Sequence, residues 1–304
     1  MAHMMHTDMK SGHAKLCILD VGNRTDFFDG ELLQNFFKQV DNESEHITVE
    51  SDIYCVRYGH WPGDHRHSLW KELIDQHILP YSHMNYPPLL VEEKDFPEPK
   101  HIASTIHRCY DGLIIGGGGD STLNDNLPYL NTLLEVIKIL VNTFDFPTVG
   151  ICFGSQSIIK ALYGPDRVST LQIQKSTPEY GYMTCYLNDF AKKHPIMTGI
   201  PNSFVQCFYH SDCFLIPQEM RLIHTKTWSN EAYQIPNRKC FGFQYHPCFT
   251  REEAAREFES LRESEPLSII HHDGETDLEV SKRFAENFIR LYVLRGFVKT
   301  TQSV

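Results

Sequence analysis

Ala14 to Val21, AKLCILDV, is a short apolar run closed by Gly22-Asn23, the pattern of a buried strand and its turn. From Gly30 to Val40 the period changes. Leu32, Leu33, Phe36, Phe37 and Val40 recur at helical spacing, which predicts a helix with one buried face. Ser51 to Tyr58 returns to a strand pattern. Strand, helix, strand in this order predicts a parallel sheet with crossover helices.

The alternation resumes downstream. Tyr110 to Ile115 predicts a strand, Leu130 to Val141 a helix through Leu133, Val136, Ile137 and Leu140, and Phe146 to Ile151 the next strand. A further helix runs through Ile158, Ile159 and Leu162 and stops at Gly164-Pro165. Beyond it the elements shorten. Ser169 to Tyr186 reads as hairpin-like strands and Ala191 to Pro201 as a turn. Ser203 to Tyr209, Asp212 to Ile216 and Leu222 to Thr227 read as short strands, and Lys239 to Pro247 as a strand ending at His246. Arg251 to Arg262 and Asp277 to Arg295 are expected helices, the second with Leu278, Phe284, Phe288, Leu291 and Tyr292 as its apolar stripe.

Two stretches interrupt this pattern. Gly59 to His107 is too long and too rich in His, Pro and aromatics for a plain connection, and is expected to be an insertion packed on the outside. Within 251–276 the segment from Ser264 to Thr276 is expected to be an exposed excursion. Residues 1–13 are expected to be a flexible leader and 14–304 a single domain. No internal repeat or interdomain linker is present in the sequence.

Composition narrows the function classes. The 304 residues are 41% apolar and 22% charged, as in ordinary globular proteins. A formal net charge of -11 argues against nucleic acid or an anionic membrane as partner. No apolar run approaches a membrane span, and the N-terminal residues lack the apolar stretch of a signal peptide. The nine cysteines are odd in number, scattered, and form no C-x-x-C pair. Reduced thiols in a cytoplasmic protein are the expectation. His65, His67, His271 and His272 lack cysteine or carboxylate partners at ligand spacing, so neither a metal nor another cofactor is expected.

Chemistry concentrates at Gly150-Ile-Cys152-Phe-Gly154, where a strand pattern turns directly into a helix pattern. G-x-C-x-G is the spacing of a nucleophile elbow, in which small flanking residues let neighbouring backbone approach and the nucleophile is pushed out of the strand end. A cysteine there faces the positive end of a helix dipole, which favours thiolate. The four glycines from Gly116 to Gly119 follow another strand, and their backbone N–H groups suit an oxyanion. The dinucleotide fingerprint fails at Ser121, and no Gly-Lys-Ser/Thr of a P-loop is present. His246 ends a third strand pattern, with Pro247 stiffening the turn.

Parallel strands place their carboxyl ends on one side of a sheet, which gathers these three pieces. A Cys152–His246 pair there supports acyl transfer through a thioester, with the imidazole taking the thiol proton and returning it to the leaving amine. The Phe153 N–H and one from the glycine loop would face the oxyanion. An α/β-hydrolase also has an elbow and the order nucleophile, acid, histidine, with Asp212 as the acid.

The sequence resembles the class I glutamine amidotransferase family. The resemblance rests on GLIIGGGGDS (Gly112 to Ser121), GICFGSQ (Gly150 to Gln156), PEYG (Pro178 to Gly181), FYHSDCFLIP (Phe208 to Pro217) and FGFQYHP (Phe241 to Pro247), in family order. It implies a flavodoxin-like, doubly wound, mostly parallel sheet flanked by helices, with insertions. It also implies Cys152 as nucleophile, His246 as base, Gly117 or Gly118 in the oxyanion hole, and Gln156 in contact with substrate. Where the family has His-Pro-Glu this chain has His246-Pro247-Cys248. A thiol cannot balance an imidazolium as a carboxylate does. Cys248 itself, Asp212, Glu252 and Glu253 are the candidate third members. Ser155 stands where many relatives carry a bulkier residue.

The expected function is therefore a stand-alone cysteine hydrolase of a γ-glutamyl amide, either glutamine or a γ-glutamyl peptide. The alternatives are a glutaminase subunit feeding ammonia to a separate synthetase, and a catalytically weakened binding protein that keeps the fold.

Overall fold

The computed structural model describes residues 12–22, 29–43, 47–64, 93–171, 173–174, 178–226, 228, 230–264 and 270–294. The first apolar run forms strand β1 (Gly12–Asp20). Its residues alternate between two cores. Ala14, Leu16 and Ile18 join one cluster, and Cys17 and Leu19 the other, because helices cover both faces of the sheet. Helix α1 (Asp29–Glu43) then leads to β2 (Ile47–Cys55), helix α2 (Pro99–Cys109) to β3 (Gly112–Ile115), and helix α3 (Leu130–Lys138), continued by a π turn at Ile139–Thr143, to β4 (Thr148–Ile151). Helix α4 (Phe153–Tyr163) follows directly.

The second half is mostly strands: β5 (Val168–Thr170), β6 (Glu179–Leu187), β7 (Ser203–His210), β8 (Asp212–Phe214), β9 (Arg221–His224), β10 (Ala232–Gln234) and β11 (Cys240–Phe243). Helix α5 (Arg251–Ser264), strand β12 (Ile270–His272) and helix α6 (Leu278–Phe288) complete it.

Among the described residues ten strands form one sheet in the order β12-β6-β9-β10-β11-β4-β3-β1-β2, with β7 also paired to β6. The run β11-β4-β3-β1-β2 is parallel, whereas β10 and β9 join antiparallel. This is a flavodoxin-like α/β fold, mostly parallel around the site and flanked by helices. The register pairs Ile115 with Gly150 and Ile151 with Phe243, so β3, β4 and β11 end together. Strands β5 and β8 form a separate two-stranded ribbon. Among the described residues no helix is long and apolar enough to cross a membrane.

Several local expectations change. Strand β2 begins at Ile47 and ends at Cys55, and Val56–Tyr58 is a 3-10 turn. The expected insertion is not wholly external. Trp61 is fully buried, and Pro99 starts α2, whose Ile102, Ala103 and Ile106 pack in the core; residues 65–92 lie outside the described ones. Proline suits that first helical turn because it lacks an N–H, and one there would have no partner within the helix. β5 and β6 do not form a hairpin. β5 pairs with β8 and β6 with β7, since each apolar strand finds its cover at long range. The excursion after α5 contains β12, which pairs parallel with β6. β11 stops at Phe243, so His246 lies in the turn beyond the strand. Of the expected leader, residues 1–11 lie outside the described residues and Gly12 and His13 already belong to β1.

The β6–β12 pairing explains one motif glycine. Gly181 has φ +109°, and a Cβ there would lie 2.2 Å from the His271 carbonyl oxygen. Gly181→Ala is expected to cost about 3 kcal/mol through strain and backbone clash. Thermal denaturation should show a fall on the order of 10 °C or less for a chain of this size; an unchanged midpoint would refute the packing role.

Candidate functional site

A single residue, Cys152, makes the turn from β4 into α4. Its φ of 48° and ψ of -110° are strained for a residue with a side chain. The Cys152 N–H donates to the Phe243 carbonyl at 2.7 Å, and the Gly154 N–H donates to the Gly116 carbonyl at 3.2 Å. The flanking glycines are dictated by contact. A Cβ on Gly150 would lie 2.6 Å from the Gly154 carbonyl oxygen, and one on Gly154 would lie 2.3 Å from the Ile115 carbonyl oxygen. Any side chain at either position would lift the helix off the sheet. Ser155, fully buried, returns a hydrogen bond from its hydroxyl to the Cys152 carbonyl at 2.7 Å.

The glycine loop is pressed against the end of β1. Gly116 N–H donates to the Leu19 carbonyl at 2.9 Å, and a Cβ on Gly118 would lie 2.6 Å from the Val21 carbonyl oxygen. Gly117 is buried and Gly118 half-buried. Phe153, buried, opens α4, so its amide belongs to the helix N-terminal set that has no acceptor within the helix. Lys160, also buried, donates from Nζ to the Thr122 carbonyl at 2.5 Å and to Asp125 at 2.6 Å, which ties this loop to α4.

Behind the thiol lies a polar network. Gln244 Nε2 is 3.7 Å from Cys152 Sγ, and the Tyr209 carbonyl is 3.9 Å from it. Gln156, buried, donates from Nε2 to the Asp212 carbonyl at 3.1 Å and to Gln244 Oε1 at 3.4 Å; its Oε1 accepts from the Thr122 hydroxyl at 3.3 Å. The carboxamide expected to meet substrate is thus oriented on both of its ends.

His246 is buried, with its main-chain N–H donating to the Cys207 carbonyl at 2.9 Å and its ring stacked on Phe249 at 4.3 Å. Burial, and after it the neighbouring His210, push its imidazole down to about 3. The ring is therefore neutral at pH 7, which suits a proton acceptor, but it is a weak one. Cys248 is buried beside it in sequence, where a carboxylate would push the imidazole upward.

The other acid candidates stand elsewhere. The Asp212 carboxylate accepts from the Ser121 hydroxyl, and burial pushes its carboxyl up against the opposing effects of that bond and of His210. Glu252 is exposed on α5. Glu253 accepts from the Thr250 N–H at 2.6 Å while Thr250 Oγ1 accepts from the Glu253 N–H at 3.4 Å, a capping box.

The FGFQYHP, PEYG and FYHSD segments also contain Gln244, Glu179 and His210, to which the sequence pattern assigned no role. Period-two alternation carries a signal for Gln244, a polar residue between the core residues Phe243 and Tyr245. Glu179, His210 and Glu231 form a fully internal cluster whose ligand-type atoms all lie within 4.8 Å of one another. Glu231 carried no signal at all, because only the tertiary fold brings it to the other two.

Comparison with known proteins fits this geometry. A family model described as glutamine amidotransferase class-I matches residues 89–261. The glutamine-hydrolyzing GMP synthase of Borreliella burgdorferi is 31% identical over 148 residues, covering 47% of this chain and 25% of that protein. A glutamine-hydrolyzing GMP synthase subunit from Sulfurisphaera tokodaii is 29% identical over 145 residues, covering 47% of this chain and 69% of its own. The matched region spans only 25% and 29% of two full-length glutamine-hydrolyzing GMP synthases, those of Borreliella burgdorferi and Caldicellulosiruptor saccharolyticus. Among solved structures, a glutamine amidotransferase from Thermotoga maritima superposes with TM-score 0.60 at 15% identity, covering 93% of this chain and 99% of that one. One from Methylobacillus flagellatus gives 0.53 at 18% identity, covering 93% and 94%. At those identities the superpositions show the fold.

The depressed His246 carries a stability consequence. The unfolded chain binds a proton between pH 6.5 and about 3 that the folded one refuses, so this residue's contribution is full above pH 6.5 and is lost as pH falls through that window. Its slope is about 1.4 kcal/mol per pH unit at most. Denaturant titrations from pH 7 to pH 4 are expected to show a shallower acid loss for His246→Gln than for the parent; parallel curves would contradict the buried neutral ring.

Proposed function

Because the chain belongs to the class I glutamine amidotransferase family, we propose that it hydrolyses a γ-glutamyl amide, glutamine or a γ-glutamyl peptide, through a thioester on Cys152. The observation that carries this reading is the elbow itself, which sets a strained cysteine at the N-terminus of α4 with the glycine loop bonded against it.

In the proposed reaction Cys152 Sγ attacks the γ-carbonyl carbon. His246 takes the thiol proton and delivers it to the departing nitrogen, leaving as ammonia or an amine. The amide of Phe153 and that of Gly117 or Gly118 stabilise the oxyanion. Gln156 contacts the γ-glutamyl group. Water, deprotonated by His246, then attacks the thioester and releases glutamate. With the imidazole held low, thiolate formation leans on the α4 dipole and on Gln244 Nε2, which lies within donor reach of Sγ.

A second reading is a glutaminase subunit that passes ammonia to a separate synthetase. It is favoured by the likeness to a protein named as one subunit of a glutamine-hydrolyzing GMP synthase, of which the match covers 69%. A third, a weakened binding protein, is favoured by Cys248 in the acid position.

Cys152→Ala is expected to lower glutamate release from glutamine and γ-glutamyl peptides by at least about a thousandfold, given what loss of a nucleophile costs related triads. Unchanged turnover would remove the hydrolase reading. Activity that is near zero alone and rises with an added synthetase would support the second reading. Cys248→Glu, supplying the absent carboxylate, is expected to raise kcat/KM on the order of tenfold or more. A fall in kcat/KM with the fold intact would show that position 248 does not serve His246.

A further inference from the structure

Asp212 is a junction between three parts of the site. Its carboxylate accepts from Ser121, on the loop that follows the glycines. Its main-chain carbonyl accepts from Gln156 Nε2 at 3.1 Å and from His210 Nδ1 at 2.9 Å. Only Ser211 separates the end of β7 from the start of β8, so ring and carbonyl share one tight turn.

A carbonyl can only accept, so the proton in the second contact sits on Nδ1. The ring then presents Nε2 to Glu179 Oε2 at 3.1 Å, a hydrogen bond that needs a further proton on the ring or on that carboxyl, and to Glu231 Oε2 at 3.9 Å, beyond hydrogen-bond length. Glu179 Oε1 accepts from the Thr225 hydroxyl at 2.9 Å. Both glutamates are 0% exposed, and His210 is 5% exposed. Two carboxylates cannot both stay ionised against each other in a dry interior without compensation. Burial, then the Glu179 charge, push the Glu231 carboxyl well above its ordinary value, toward its neutral form.

A divalent ion is the other way to compensate such a cluster. An ion about 2.0–2.1 Å from each ligand in a tetrahedral site needs ligand atoms about 3.3 Å apart. The Nε2–Glu179 separation of 3.1 Å is a hydrogen-bond length, while Glu231 stands wider at 3.9 Å. Protons fit this spacing better than a metal.

We propose that Glu179, His210 and Glu231 form a proton-held cluster that acts through the Asp212 carbonyl to position Gln156 for the γ-glutamyl group. The inference rests on the hydrolase reading for its substrate, and on geometry alone for its hydrogen bonds. His210 is in this scheme a positioning residue. It locks the carbonyl that locks the carboxamide, and Glu179 locks its ring.

Two variants separate positioning from bulk support. His210→Asn keeps an amide nitrogen near the Nδ1 position, and His210→Gln moves it toward the Nε2 position. His210→Gln is expected to raise KM for the γ-glutamyl substrate about tenfold with kcat within threefold, and His210→Asn to restore most of that loss. Equal KM values in the two variants would overturn the proposal. Hydrogen exchange of the Gln156 side-chain amide, followed by NMR, needs no activity. It is expected to quicken about tenfold in His210→Gln and to stay slow in His210→Asn; equal exchange in the two would also overturn it. A 15N spectrum of labelled histidine is expected to show a proton on His210 Nδ1, and elemental analysis to find less than 0.1 divalent ion per chain, on the order of background. An unprotonated Nδ1, or one ion per chain that is lost in Glu231→Gln, would overturn the cluster as described. Should the wild-type protein hydrolyse no γ-glutamyl compound, the hydrolase reading falls, while the exchange and 15N results still decide the His210–Asp212–Gln156 linkage.

Discussion

The Cys152 backbone is held at a positive φ, with its N–H bonded to the Phe243 carbonyl, and much of the molecule is arranged to keep it there. Such strain costs about 1–3 kcal/mol and persists only where surrounding packing over-determines it. Here α4 lies so close to the sheet that Gly154 touches the Ile115 carbonyl and Gly150 touches Gly154. Tyr233, fully buried, donates from its hydroxyl to the Ser155 carbonyl at 2.6 Å and braces the first turn of the helix. Gly242 on β11 makes room for that ring, since a Cβ there would lie 2.3 Å from Tyr233 Cζ. Glycines scattered over strands and a helix therefore serve one turn.

The polar part of the site follows a different rule. Gln156, Gln244, Glu179, Glu231, His210 and His246 are all buried, beside two large apolar clusters. Buried polar groups are tolerated when they satisfy one another, and a connected network fixes the positions of all its members. The chain of contacts from Thr122 through Gln156 and Gln244 to Cys152 Sγ does so on one side of the thiol. The same dryness lowers the proton affinity of the His246 imidazole, and Cys248 supplies no negative charge to offset it. Ordering is strong in this site and proton affinity at the imidazole is low.

Much of this was legible in the sequence. The apolar runs at Ala14, Tyr110 and Phe146 announced strands, and the shift to helical spacing after Gly30 and Leu130 announced the crossovers, so the parallel frame followed. Cys152 was legible because a nucleophile elbow has a spacing that packing enforces. Long-range choices were not. Nothing local tells Val168–Thr170 to pair with β8, or Ile270–His272 to join β6, since short strands select partners by tertiary cover. Glu253 looked like a candidate acid and is a helix cap, and Glu231 looked like nothing and is buried beside His210. Acids acquire meaning from their surroundings, which a linear pattern does not display.

The proposed chemistry stands on a γ-glutamyl thioester at Cys152. The direct measurement is intact-mass spectrometry of acid-quenched mixtures of the protein with glutamine, glutathione and other γ-glutamyl conjugates, followed by peptide mapping. A γ-glutamyl adduct on Cys152 is expected with at least one of them, absent when the residue is alanine. No adduct on Cys152 while hydrolysis proceeds, with the acyl group found on another residue or on none, would contradict it.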